Sequence, residues 1–348
     1  MLTLEQYSNL YKLKEPDAVM VYLLQEKSIF MNLVSQKPVS ELSFPVIRQA
    51  PGSGGSYVAI NQAITTESSP KYAVNIVSMK KFIDNMRVDN SLIKAYPNIT
   101  GEMFKTQLGQ NGLDITRILL KHASSQWTPA VMPDAPDGLY KLLAYEHEQL
   151  YGTQIEVATS TNVALASDRE RSVAFTPGFE PNGVFVAGGS ATAATRLQFT
   201  GALDRLVNGF PEKPNWLYCP RQIISAITEA GRQSGTYAPP TLTQWGIWAE
   251  TWGGVPLIPC DMTQDNRELL GFDETQGGDT TCASIIAVNS DQSFGTGYQI
   301  GVNTAPEMKL ITQNMEGFDA SLYRIIIHHN HFIGHPRAVR RLAGLKIG

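Results

Sequence analysis

SLYRIIIHHNHFIGHPRAVRRLAGLK, Ser321 to Lys346, closes the chain and governs the reading of everything before it. A long strand-like run stops at Pro336, and a short basic tail follows with apolar residues at spacing three. Four histidines crowd the strand: His328, His329, His331 and His335. On a strand His329 and His331 face one way and His328 the other. Two His at that spacing can ligate a metal, but no acidic third ligand stands at a convenient spacing. The histidines therefore read as packing or contact residues, open to titration near neutrality. The stretch reads as architecture, with no catalytic set in it.

Upstream lies the element this strand needs as a partner. From about Gly101 to Ser124, Phe104, Leu108, Ile115 and Leu119 share one face at helical spacing. Thr100 is the expected N-cap. Gly112 sits on the same stripe, where it weakens the helix unless something packs closely against it. This long helix is the predicted spine on which a sheet lies.

Before the spine comes a two-sided excursion. SFPVIRQA (Ser43 to Ala50) and SYVAINQA (Ser56 to Ala63) flank PGSGG, and TTESSP leads into KYAVNIVSMKKFI. The return strand puts Tyr72, Val74 and Ile76 on one side and Lys71, Ala73, Asn75 and Val77 on the other. Long connections of this kind are uncommon and usually functional. A lone ribbon exposes unpaired backbone edges, which a neighbouring subunit would satisfy. Residues 1–36 read as an arm, with a helix opening at Pro16 and Asp17 and running to Leu33.

After the Pro- and Asp-rich VMPDAPDG (Val131 to Gly138) the pattern turns to α/β. A helix over about 194–208 carries Phe199, Leu203 and Leu206; strand NWLYC follows; a second helix starts at Pro220 and ends near Gly231. WGIWAETW reads as a strand with Trp248 and Trp252 on one face and Trp245 opposite. A Gly253-Gly254 turn, VPLIPCD, ASIIAVN and GYQIGV complete this part.

Composition narrows the function. Apolar residues make up 43% of the 348 positions and charged residues only 17%, a pattern of a globular chain with a weakly charged surface. The net charge of −4 argues against a nucleic-acid grip, since the dense basic cluster is confined to Arg337, Arg340, Arg341 and Lys346. The three cysteines, Cys219, Cys260 and Cys282, form no CxxC, so neither a disulfide framework nor a zinc site is expected. No run reaches the ~18 apolar residues of a membrane span, and no signal peptide is recognised at the N-terminus, so folding in the cytoplasm is expected. PGSGGS lacks the GKS/T ending of a phosphate loop, and GTGYQIG precedes a strand. No GxSxG is present, and Cys219 at a strand-to-helix turn has no paired His in a recognisable motif. No catalytic residue, cofactor or metal is assigned.

The order of parts resembles the major capsid protein of tailed bacteriophages, the Hong Kong 97-like fold. NWLYCPRQIISAITEAGR (Asn215 to Arg232) looks like that family's strand–Pro–helix, WGGVPLIPCD (Trp252 to Asp261) resembles its following strand, and the closing stretch resembles its usual ending. The resemblance spans about residues 37–346. It implies an α+β chain with an N-terminal arm (1–36), an extended loop (37–80), a peripheral domain with the spine helix (81–174), an axial domain (175–310) and a return strand of the peripheral domain (311–348). It implies hexamers and pentamers of an icosahedral shell around double-stranded DNA, located in the virion and assembled in the host cytoplasm. Contact candidates between subunits are Arg48, Tyr57, Lys71 and Tyr72 in the loop, and Arg337, Arg340 and Arg341 in the tail as salt-bridge partners. Implied partners are other copies, a separate scaffold protein (only 1–36 precede the loop), a portal and, in some shells, decoration proteins, with packaged DNA close by and no membrane. The competing readings are an encapsulin-like nanocompartment and a cytoplasmic α/β hydrolytic enzyme.

Overall fold

Two sheets share one core. A computed structural model of the chain describes residues 28–39, 43–49, 72–96, 99–122, 134–140, 193–210, 212–235, 239–243, 248–263, 265–276, 279–290, 297–312, 317–333 and 338–347, with short pieces at 132, 143, 173–174, 185–187 and 246. In chain order the first elements are α1 (Ile29–Leu33), β1 (Ser35–Pro38), β2 (Ser43–Gln49), β3 (Tyr72–Ser78), β4 (Lys80–Asp89), α2 (Asn90–Ala95) and α3 (Ile99–Lys121). They are followed by β5 (Val173–Ala174), β6 (Phe185–Ala187), α4 (Ala193–Asn208), β7 (Trp216–Cys219), α5 (Arg221–Ser234), β8 (Thr241–Leu242) and β9 (Trp248–Ala249). The rest are strands: β10 (Thr251–Trp252), β11 (Val255–Pro259), β12 (Glu274–Gln276), β13 (Asp279–Val288), β14 (Tyr298–Thr312), β15 (Ala320–Ile333) and β16 (Val339–Ile347).

The first sheet has the order β1-β14-β15-β4. Its centre is the predicted terminal strand: β15 pairs antiparallel with β14 on one side and β4 on the other, from Ala320↔Asp89 to His329↔Lys80. β1 joins in parallel at the edge, a place where Pro38 removes no needed donor. The spine helix α3 lies against this sheet. Phe104, Leu108, Ile115 and Leu119 are all fully buried, packed in one cluster with Met86, Val88, Ile325 and Ile327. The helix begins one residue before Thr100, so Thr100 lies inside the first turn instead of capping it.

The second sheet runs β10-β11-β7-β13-β16-β5, with β12 on β13 and β6 on β16. It is buried on both faces, which explains the unbroken apolar run WLYC. Trp216 and Tyr218 point toward the core shared with the spine; Leu217 and Cys219 point toward α4 and α5. α5 runs past Gly231 and closes at Gly235, whose φ of 71° gives the left-handed cap.

Three expectations change. The basic tail is no loose finish: β16 is an interior strand of the second sheet, antiparallel to β13 from Val288↔Val339 to Ala283↔Leu345. The chain's stay in the first sheet therefore ends with β15, and 339–347 pair in the second sheet. Tyr298–Thr312 makes the opposite exchange, since β14 pairs with β15 and belongs to the first sheet. The Trp-rich strand is broken in two at Glu250: Trp252 is half-buried and donates its indole N–H to Asp204 (3.0 Å), while Trp248 stands in solvent.

Candidate functional site

Among the described residues, two buried carboxylates bind parts of the fold together. Asp261 follows β11. Its carboxylate accepts the backbone N–H groups of Ile29 (2.8 Å) and Phe30 (3.2 Å), the Ser28 hydroxyl (3.1 Å) and the Tyr218 hydroxyl (2.9 Å). Ser28 caps α1 and also meets Thr116 of the spine helix at 2.7 Å. Burial raises the Asp261 carboxyl, and the hydrogen bonds from Ile29, Phe30, Tyr218 and Ser28 pull it back only in part. Phe30 inserts beside Trp216 and Tyr218 with ring centroids 5.7 and 5.4 Å away. The root of the arm is thus pinned to both sheets and to the spine at one point.

Glu274 forms the second junction. It accepts from Arg341 Nη2 (3.0 Å), from the Tyr140 hydroxyl (2.5 Å) and from the Ser284 hydroxyl, while Lys121 Nζ stands 3.9 Å away. Ser284 in turn accepts from Arg341 Nε at 3.0 Å, and the guanidinium carbon lies 3.6 Å over the Tyr140 ring. Burial alone would raise the Glu274 carboxyl; Arg341, Lys121 and the two hydroxyls outweigh it and hold the group below its usual value. Lys121 ends the spine helix and also meets Asp273 at 3.0 Å, so this junction fastens the spine's C-terminus to the second sheet.

Arg340 points to the opposite face. Its Nη1 donates to the carbonyls of Arg205 (2.8 Å) and Leu206 (3.5 Å), capping the negative end of α4. A Cβ on Gly209 would lie 1.2 Å from that nitrogen, which is why glycine stands there. Arg340 is 0% and Arg341 1% exposed. The expectation that these two arginines bridge subunits is therefore corrected: strand alternation in β16 sends one into each core, and both charges are satisfied within the chain.

Of the other contact candidates, Arg48, Tyr57, Lys71 and Tyr72 lie in the excursion and Arg337 lies in the tail. Arg48 and Tyr72 fall on β2 and β3, which pair antiparallel from Ser43↔Ser78 to Gln49↔Tyr72. Tyr57, Lys71 and Arg337 lie outside the described residues. At the end of β3 Ile76 is 73% exposed, and its neighbour Val77 packs against Val39.

Two of the histidines are core residues. His331 meets the Tyr298 hydroxyl at 2.8 Å and the Asp137 carbonyl at 2.5 Å. His329 packs edge-on against Phe82, and among the described residues neither of its ring nitrogens has a partner. Burial, with a smaller repulsion from His331 and His328, pushes its imidazole down to about 3. Burial likewise raises the Cys219 thiol, with smaller contributions from Cys260 and Glu268, so it lacks the thiolate a nucleophile needs. Among the described residues no group of three His, Cys, Asp or Glu could hold a metal, and no helix is long and apolar enough to cross a membrane.

Sequence reasoning missed Asp261, Glu274 and Leu242. Asp261 left one signal, a carboxylate ending the apolar run VPLIPC. Leu242 and Trp248 form a solvent-exposed apolar pair on the β8–β9 ribbon.

No family model matches the chain, and no curated protein matches it. Solved structures do. The SrpI encapsulin complex of Synechococcus elongatus is similar with a TM-score of 0.55 at 13% identity, over 91% of this chain and 87% of that one. The capsid of an empty GTA particle is similar with a TM-score of 0.54 at 12% identity, over 91% and 89%. A chain of Mycobacterium phage Ogopogo gives 0.53 at 13% identity, over 91% and 92%. At such identities the likeness is one of fold: this mixed helix-and-sheet chain has the fold found in capsid and encapsulin shell subunits.

Proposed function

We propose that this chain is the major capsid protein of a tailed phage, forming hexamers and pentamers of an icosahedral shell around double-stranded DNA. The observation that carries the reading is the shared fold over about nine-tenths of the chain with capsid subunits. The subunit's internal arrangement agrees with a structural role. Among the described residues, the buried Asp261, Glu274, Arg340 and Arg341 are engaged in holding the fold, and Leu242 and Trp248 stand exposed on the β8–β9 ribbon. We assign β2, β3 and the residues between them to an extended loop that lies on a neighbour, adding backbone pairing there. Arg48, Tyr57, Lys71 and Tyr72 are its contact residues, and Arg337 is a contact residue before β16. The first sheet with the spine helix forms the peripheral part, and the second sheet with α4 and α5 the axial part. Heterologous contacts close rings around capsomer axes, and many weak contacts per subunit add up. A separate scaffold protein, a portal and, in some shells, decoration proteins complete the particle, which assembles in the host cytoplasm without an enzymatic step by this chain.

The encapsulin match favours a second reading, a nanocompartment that encloses protein cargo. The contents of purified particles separate the two. Nuclease-protected double-stranded DNA supports the capsid; a co-purifying enzyme without DNA supports the compartment. Deleting residues 51–69 tests the loop: the subunit is expected to stay folded and fail to close shells. Normal shells from that variant would contradict the loop's assignment.

A further inference from the structure

We infer that the β8–β9 ribbon is a self-contact, in which Leu242 and Trp248 of one copy pack against the same ribbon of its neighbours around a ring axis. This rests on the shell-forming reading above and names one of its contacts. The register pairs Leu242 directly with Trp248 and Thr241 with Ala249. Directly opposed residues share a face, so Leu242 and Trp248 form one apolar knob, 58% and 71% exposed. Ala249, the next residue, points the other way, is buried, and belongs to the central core. Behind it the Leu257 N–H donates to the Glu250 carbonyl at 2.7 Å, fastening the ribbon's base to β11.

A ribbon of two residue pairs is marginal by itself, and exposing a tryptophan gives it no stability in water. Its rooted base holds the side chains in place before any partner arrives, which lowers the ordering cost of binding. Trp is also the residue type most often found at the energetic centre of interfaces.

Charge decides the occupant. Between Arg232 and Glu250 the sequence has no Asp, Glu, Lys, Arg or His, in a chain that is 17% charged. Nothing in this segment offers a counter-charge to nucleic acid or to a strongly charged protein. Around a ring axis each residue of the segment recurs in every copy at short range, so any charge would face its own like. A neutral apolar knob is the surface that can converge on itself.

The test uses the full chain with Trp248→Glu and Trp248→Lys, each prepared as unassembled subunits and then allowed to assemble alone or mixed in equal parts. Both variants are expected to keep the wild-type thermal midpoint, since Trp248 stands in solvent. Alone, each should lower the yield of assembled particles by about ten-fold or more, because like charges meet around the axis. Mixed, they should recover most of the wild-type yield as opposite charges alternate. Unchanged assembly of both single variants overturns the proposal. Failure of both alone and of the mixture overturns it too, because the knob then meets a different surface or partner. If the Trp248 variants do not fold, Leu242→Glu and Leu242→Lys serve in the same design with the same outcomes. A wild-type chain that stays monomeric overturns the shell reading itself; wild-type shells with indifferent variants overturn only this contact.

Discussion

The tail arginines and the Trp248 ribbon invert the usual distribution of polarity within one subunit. Arg340 and Arg341 are fully buried on an interior strand, and Leu242 and Trp248 stand in solvent on a peripheral ribbon. The buried charges have found their partners inside: Glu274, Ser284 and the α4 carbonyls. The exposed apolar pair has found none. Burying a charge is costly unless it is paired, so the arginines report on the subunit's own integrity. Exposed apolar surface in a patch reports on something outside it. On the proposed reading, the contrast separates residues that hold one subunit together from residues that would join it to its neighbours.

Breaking the buried side has the largest effect. Arg341→Met removes the nearest counter-charge of buried Glu274 and leaves it only the more distant Lys121 and the Tyr140 and Ser284 hydroxyls, so about 3–5 kcal/mol of stability should be lost in denaturant unfolding of the unassembled subunit. Adding Glu274→Leu should recover most of it, because the pair is then replaced by apolar groups. A single variant as stable as wild type would show that the junction carries little.

Gly209→Ala drives a methyl group into the Arg340 guanidinium, which two carbonyls hold in place. A loss of about 1–3 kcal/mol is expected, the range for overpacking a filled site. Circular dichroism melts of the variant measure it.

His329 gives the smallest effect and a pH signature. Its folded value near 3 lies below the ordinary one, so the unfolded chain takes up a proton first as pH falls. Stability should therefore drop from about pH 6.5 downward and keep dropping until the folded value is reached. His329→Phe removes this contribution and the unpartnered nitrogens, and should gain about 1 kcal/mol relative to wild type at pH 5.5. His331, pushed down to about 4 chiefly by burial, keeps its own slope in both chains. Parallel stability–pH curves for the two would contradict the assignment.

Much of the fold is legible in residue order. The stripe Phe104, Leu108, Ile115, Leu119 predicts the spine, and the runs at Trp216–Cys219 and Val255–Pro259 predict strands, because burial imposes a period that sequence displays. Strand partnership is less legible. β14 and β16 exchange sheets relative to the sequence reading, since apolar alternation names a buried face without naming the neighbour. The arginines mislead for a related reason: a basic tail looks like surface until Glu274, far off in sequence, closes on it. Alternation alone puts Trp248 and Trp252 on one face, and the break at Glu250 leaves no periodic trace in so short a segment.

Cryo-electron microscopy of the purified full-length protein tests the central claim most directly. Closed shells are expected, built from rings of this subunit, with the second sheet and the β8–β9 ribbon nearest the ring axes and the first sheet at the periphery. A uniform population of monomers or dimers under conditions where the subunit is folded would contradict it.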